Sequence, residues 1–100
     1  MARVFLSQAA FDDLLRLDAF LFESEDPLAG ELLDFILDAL QVLTHQPGIG
    51  RPVEHGLREL IILRKRSAYL ARYEFDDARD LVLVARIRHQ RESGYSEGEL

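Results

Sequence analysis

The sequence predicts an α+β fold of order β-α-α-β-β-β, a helical hairpin packed on a small antiparallel sheet. Three observations carry this. Apolar residues recur at helical spacing through Gln8–His45. Three strand-like runs follow one another after Gly56, separated by short charged turns. The stretch richest in Gly and Pro, Gln46–Gly56, falls between the two patterns. With 100 residues the chain suits one domain, expected over 1–95, with a flexible tail at 96–100.

Arg3–Ser7 reads as a first strand, with Val4 and Leu6 on one side and Phe5 on the other. Ser7 is a good N-cap for a helix over Gln8–Glu23, whose inner stripe is Ala10, Leu14, Leu17 and Leu21. Asp12, Asp13 and Asp18 are expected to face solvent. Asp26 and Pro27 suit the cap and first position of a second helix running to about His45. Gln46–Gly56 reads as an ordered loop anchored by Ile49 and Val53. Leu57–Leu63, Ala68–Phe75 and Leu81–His89 then form a meander, joined by the turns RKRS and DDARD.

Side-chain alternation divides the sheet into two faces. The Tyr69, Ala71, Tyr73, Phe75 set and the Leu81, Leu83, Ala85, Ile87, His89 set are expected under the helices. The other face would carry Arg58, Arg72, Arg86 and Arg88 beside Leu60, Ile62, Leu70, Val82 and Val84. Such a half-apolar, half-basic surface suits a partner. Cross-strand ion pairs from Arg86 or Arg88 to Glu59 or Glu74 are the bland alternative. The corresponding bland readings are a strand-end hydrogen-bonding residue for His89 and a solvated turn for Arg64–Arg66.

Composition narrows the function. The net charge is −6, and residues 1–50 hold two cations against nine acids, whereas residues 51–100 hold ten against nine. An acidic chain repels nucleic acid as a whole, while polarised charge favours a protein partner met in one orientation. There is no cysteine, which removes disulfides, thiol nucleophiles and thiolate metal sites. His45, His55 and His89 have no metal-ligand spacing, so no metal or other cofactor is expected. No apolar run approaches a membrane span and the N-terminus does not read as a signal peptide, so a cytoplasmic protein without membrane contact is expected.

The opening strand with SQAAFDDLLRL, then ALQVLTHQPGIGRPV, GLREL, AYLARYEF and LVARIRHQRESGY follow one another in that order. Together these stretches resemble the RelE/ParE superfamily of bacterial toxins. The combination GIGRPV…LREL…IRHQRESGY is most similar to the ParE-like, plasmid-stabilisation branch. The resemblance implies a toxin of a type II toxin–antitoxin system that causes growth arrest by inhibiting DNA gyrase. It also implies neutralisation by an antitoxin encoded next to the gene, contact with DNA only through that antitoxin, and a homodimer or a hetero-oligomer with it. Such a toxin is not an enzyme. Its contacts to target or antitoxin are expected at Arg58, Arg72, Arg86, Arg88, Arg91 and Tyr95.

A RelE-like alternative is a ribosome-dependent mRNA endonuclease. It would use Glu54 or His55 as base, His89 as acid, and Arg72, Arg86 and Arg88 on the developing charge, with Tyr95 stacking on a base. RelE-like nucleases often carry Arg where this chain has Leu70, and their loop acid falls near Val53, not Glu54. A third reading is an inactive toxin-like module that only binds antitoxin.

Overall fold

Ser7 decides where the first helix begins. In the computed structural model, which describes residues 1–92, the Ser7 backbone is extended and its Oγ accepts the N–H of Ala10 at 3.0 Å. Strand β1 (Arg3–Leu6) therefore passes directly into helix α1 (Gln8–Glu23). Ala10, Leu14, Leu17 and Leu21 are buried, as their spacing predicts.

The second helix starts later than expected. Asp26 Oδ1 accepts the N–H of Leu28 at 2.8 Å, and Gly30 adopts φ +88°, so 27–30 form turns. A right-handed helix cannot pass through positive φ. Helix α2 therefore spans Leu32–Leu40 and tightens into a 3₁₀ turn at Gln41–Thr44. The Gly30 N–H donates to Asp18 Oδ1 at 2.9 Å, tying the connection back to α1.

Strands β2 (Arg51–Pro52), β3 (Arg58–Arg64), β4 (Ser67–Asp76) and β5 (Leu81–His89) complete a five-stranded sheet of order β1-β5-β4-β3-β2. The α+β architecture stands, but the sheet is mixed and not purely antiparallel, because β1 pairs parallel with β5. The short β2 lies inside the stretch expected to be loop. That loop is anchored by Tyr73 and not by Ile49, which is half exposed. The Tyr73 hydroxyl accepts the Gly50 N–H at 2.9 Å and donates to the Pro47 carbonyl at 2.7 Å.

The faces differ from simple alternation for two reasons. First, the β4–β5 register shifts between Arg72 and Tyr73: Arg72 lies opposite Arg86, yet Tyr73 lies opposite Val84. Ala85 is the extra residue of a β-bulge, which reverses side-chain parity along the strand. Val82 and Val84 consequently join Tyr73 and Ile87 in the core, and Leu83 is exposed. Second, β3 pairs Leu60 with Ala71 and Ile62 with Tyr69, so these two also face the helices and Ile62 is buried. The apolar residues left on the open face are Phe5, Ile61, Leu63 and Leu83, together with the buried Leu70. Among the described residues no helix is long and apolar enough to cross a membrane.

Candidate functional site

The end of β5 is where the chain gathers its chemistry, and helix α1 holds it there. Beyond Leu6, β1 no longer covers β5. Asp13, projecting from α1, takes that place: its Oδ2 accepts the Ile87 N–H at 2.8 Å. The same carboxylate receives Arg86 as a fork, at 2.9 Å from Nε and 3.0 Å from Nη2. Asp13 is 2% and Arg86 5% exposed. The expectation of a solvated Asp13 and an outward Arg86 is thus corrected. A buried arginine needs a carboxylate more than an open face needs another cation.

One turn further on, residues 89–92 fold back against α1. Glu92 receives Arg16 on Oε2 and the His89 N–H on Oε1 at 3.0 Å. Arg88 donates to the Glu92 carbonyl at 2.8 Å. The His89 Nδ1 accepts the Arg91 N–H at 3.1 Å, so the neutral ring carries its proton on Nε2. Its ring meets Tyr69 edge-on, with centroids 5.3 Å apart. Burial lowers the His89 pKa, and the Arg91 cation lowers it further. Burial likewise raises that of Tyr69. A groove of about 600 Å³ opens here, lined among others by Arg16, Phe20, Arg64, Tyr69, His89 and Arg91. Arg64 is no free turn residue: it forks onto Asp26, holding that carboxyl at about 2.

On the open face, Glu59 is the centre of charge. It is 2% exposed and pairs with Arg51 at 2.5 Å and with Arg72 at 3.8 Å. Arg72 therefore leans on a buried acid, and Arg88, opposite Leu70, lies two residues along the sheet from it. Arg86 goes to Asp13 and Arg88 to the Glu92 carbonyl of the following turn.

Arg58 and Glu54 are elsewhere. Arg58 donates to the Gly50 carbonyl at 2.8 Å and stays with the loop. Glu54 and His55 are exposed, 3.9 Å apart, in a 3₁₀ turn before β3. Arg58 lies opposite Tyr73, whereas His89 lies opposite Tyr69. Four residues of strand separate those positions, roughly 13 Å along β4, and Glu54 is further still, beyond two strands. Base and acid candidates are not brought together. Tyr95 lies outside the described residues. Asp13, Arg16 and Glu92, which organise the β5 end, were missed. Asp13 had one legible signal, its position one turn from Leu17 and Ala10 on the flank of the buried stripe. Among the described residues no group of three or more His, Asp or Glu is placed to hold a metal.

Residues 4–94 match the family model of the ParE toxin of the type II toxin–antitoxin system parDE. The chain belongs to the ParE toxin family. A search of curated proteins finds no match. Two solved structures share the ParE-family fold seen here. One is from a chromosomal ParDE toxin–antitoxin system of P. aeruginosa, with TM-score 0.71 and 22% identity, covering 89% of this chain and 96% of that one. The other is from the toxin–antitoxin complex RelBE2 of Mycobacterium tuberculosis, with TM-score 0.60 and 22% identity, covering 89% of this chain and 98% of that one. At such identity they speak for the fold alone, which ParE and RelE proteins share.

Proposed function

We propose that this ParE-family chain is a toxin that inhibits DNA gyrase and is neutralised by an antitoxin encoded beside it. The observation that carries the choice of target is the separation of Glu54 from His89. Cleavage at an RNA 2′-hydroxyl needs a base and an acid within reach of one phosphate. Here those candidates lie at opposite ends of the sheet. The arginines meant for the phosphate are also committed, Arg86 to Asp13 and Arg72 to Glu59. A toxin that works by occupying a protein needs no such convergence. The antitoxin is supported by the family and by the two solved structures of like fold, one from a toxin–antitoxin system and the other a toxin–antitoxin complex.

The test places two assays side by side. Purified protein should inhibit gyrase supercoiling and leave messenger RNA intact in a reconstituted translation system, and the adjacent gene product should relieve the inhibition. Transcript cleavage that depends on ribosomes and on His89 would replace this reading by the nuclease one. Inactivity in both assays, with tight antitoxin binding, would leave the inert module.

A further inference from the structure

Residues 89–92 close a turn whose two halves are held in different ways. The Gln90 N–H donates to the Ala68 carbonyl of β4 at 3.0 Å, which ties the first half to the sheet. In the second half, the Arg91 N–H donates to His89 Nδ1 at 3.1 Å. The Glu92 N–H donates to the His89 carbonyl at 3.0 Å. The Glu92 carboxylate takes the His89 N–H on one oxygen and Arg16 of α1 on the other. Of these bonds, the one from Arg91 requires a neutral ring. A neutral imidazole accepts at Nδ1, whereas an imidazolium carries a proton there and can only donate. Protonation therefore sets a ring N–H against the Arg91 N–H.

We infer that His89 is a proton-operated latch on this turn: the neutral ring holds Arg91 and Glu92 against α1, and the imidazolium releases them and widens the groove they line. The surroundings give the new charge little to pair with. Arg64, at the end of β3, lines the same groove and already holds Asp26. From α1 come Glu23 and Arg16, and Arg16 already holds Glu92. Tyr69 of β4 meets the ring edge-on. Arg91 adds a like charge two residues on, and Arg88 donates to the Glu92 carbonyl. Burial and then Arg91 lower the His89 pKa from its ordinary 6.5, against the opposite pull of Glu92. The closed turn thus binds fewer protons than the open one, so the latch is shut above about 6.5 and loosens as pH falls through the lower, folded value. Gln90 stays on β4, so among the described residues the release is confined to Arg91 and Glu92. It bares more of a groove whose apolar wall includes Leu17 and Phe20.

The experiment is an NMR titration of the full chain from about pH 7.5 to about pH 5, above the ordinary carboxylate range. The His89 ring should titrate with the same midpoint as the Arg91 and Glu92 amide shifts. Protection of the Arg91 amide, corrected for the intrinsic pH dependence of exchange, should fall about tenfold across the range. His89→Asn keeps an acceptor near the Nδ1 position without a titrating group, and its turn should stay closed throughout. His89→Phe removes the acceptor, and its Arg91 amide should be unprotected at both ends. Thermal melts of the two variants are the folding control, and the titration of the unaltered chain decides alone if either fails to fold. A His89 ring that titrates without loss of Arg91 protection overturns the latch, as does a ring that stays neutral down to about pH 5. The same loss of protection in His89→Asn overturns it too, by assigning the opening to another group.

Discussion

Replacing Asp13 by Ala strands two groups at once. Arg86, 5% exposed, loses both arms of its carboxylate fork. The Ile87 N–H loses its acceptor at the uncovered edge of β5. Removing one partner of a buried pair costs about 3–5 kcal/mol, because the remaining buried charge loses the carboxylate that offsets its desolvation. That is a large share of the roughly 5–15 kcal/mol typical of a domain. At about 5 °C per kcal/mol for a chain of this size, Tm should fall by about 15–25 °C. The measurement is urea unfolding followed by circular dichroism, beside a thermal scan. The double variant Asp13→Leu/Arg86→Met removes the buried Arg86 charge and still leaves the Ile87 N–H without its carboxylate. It should lose less than Asp13→Ala, with a coupling energy of at least about 1 kcal/mol. If Asp13→Ala unfolds within about 0.5 kcal/mol of the parent, the pair is not what joins α1 to β5.

Other consequences can be measured separately. Gly50→Ala would place a Cβ 2.7 Å from the Tyr73 ring and hydroxyl and 3.0 Å from the Glu59 carbonyl; the forced shift should cost about 1–3 kcal/mol in denaturant melts. Tyr73→Phe leaves the Gly50 N–H and Pro47 carbonyl unpartnered and should lose about 1–3 kcal/mol, with loop amides exchanging faster. In NMR titrations His89 should titrate below the usual 6.5, and Arg91→Ala should move it upward. Since the folded state then binds fewer protons than the unfolded one, His89 makes stability fall as pH drops through about 6.5. The Asp26 carboxyl should titrate near 2, and Arg64→Gln should return it toward 3.8. Its contribution is present above 3.8 and fades as pH falls toward 2, so His89 and Asp26 act in separate windows.

Local features proved readable wherever one residue and its near neighbours decide the outcome. The Ser7 cap and the Ala10–Leu21 stripe were enough to place α1, and alternation placed the three long strands to within a residue or so at each end. The family, too, was legible from ordered short stretches. The second helix was misread because Asp26 and Pro27 mimic a helix start, while Gly30 turns the chain at positive φ and bonds to Asp18, twelve residues back in a neighbouring helix. The site was harder. Arg86 and Arg88 share a face by alternation, yet one is buried on Asp13 and the other serves the 89–92 turn.

The sequence by itself determined the α+β class, the element order, the helix stripe and the membership in the ParE toxin family, because periodicity, capping and motif order are properties of contiguous residues. Only the tertiary structure decided which way the sheet faces, that β1 runs parallel to β5, and that Asp13 is an interior partner for Arg86. A single inserted residue at Ala85 reverses side-chain parity, and strand register is a relation between segments far apart in the chain. Those two facts move Val82, Val84, Leu60 and Ile62 inward, and leave Ile61 and Leu63 exposed on the open face.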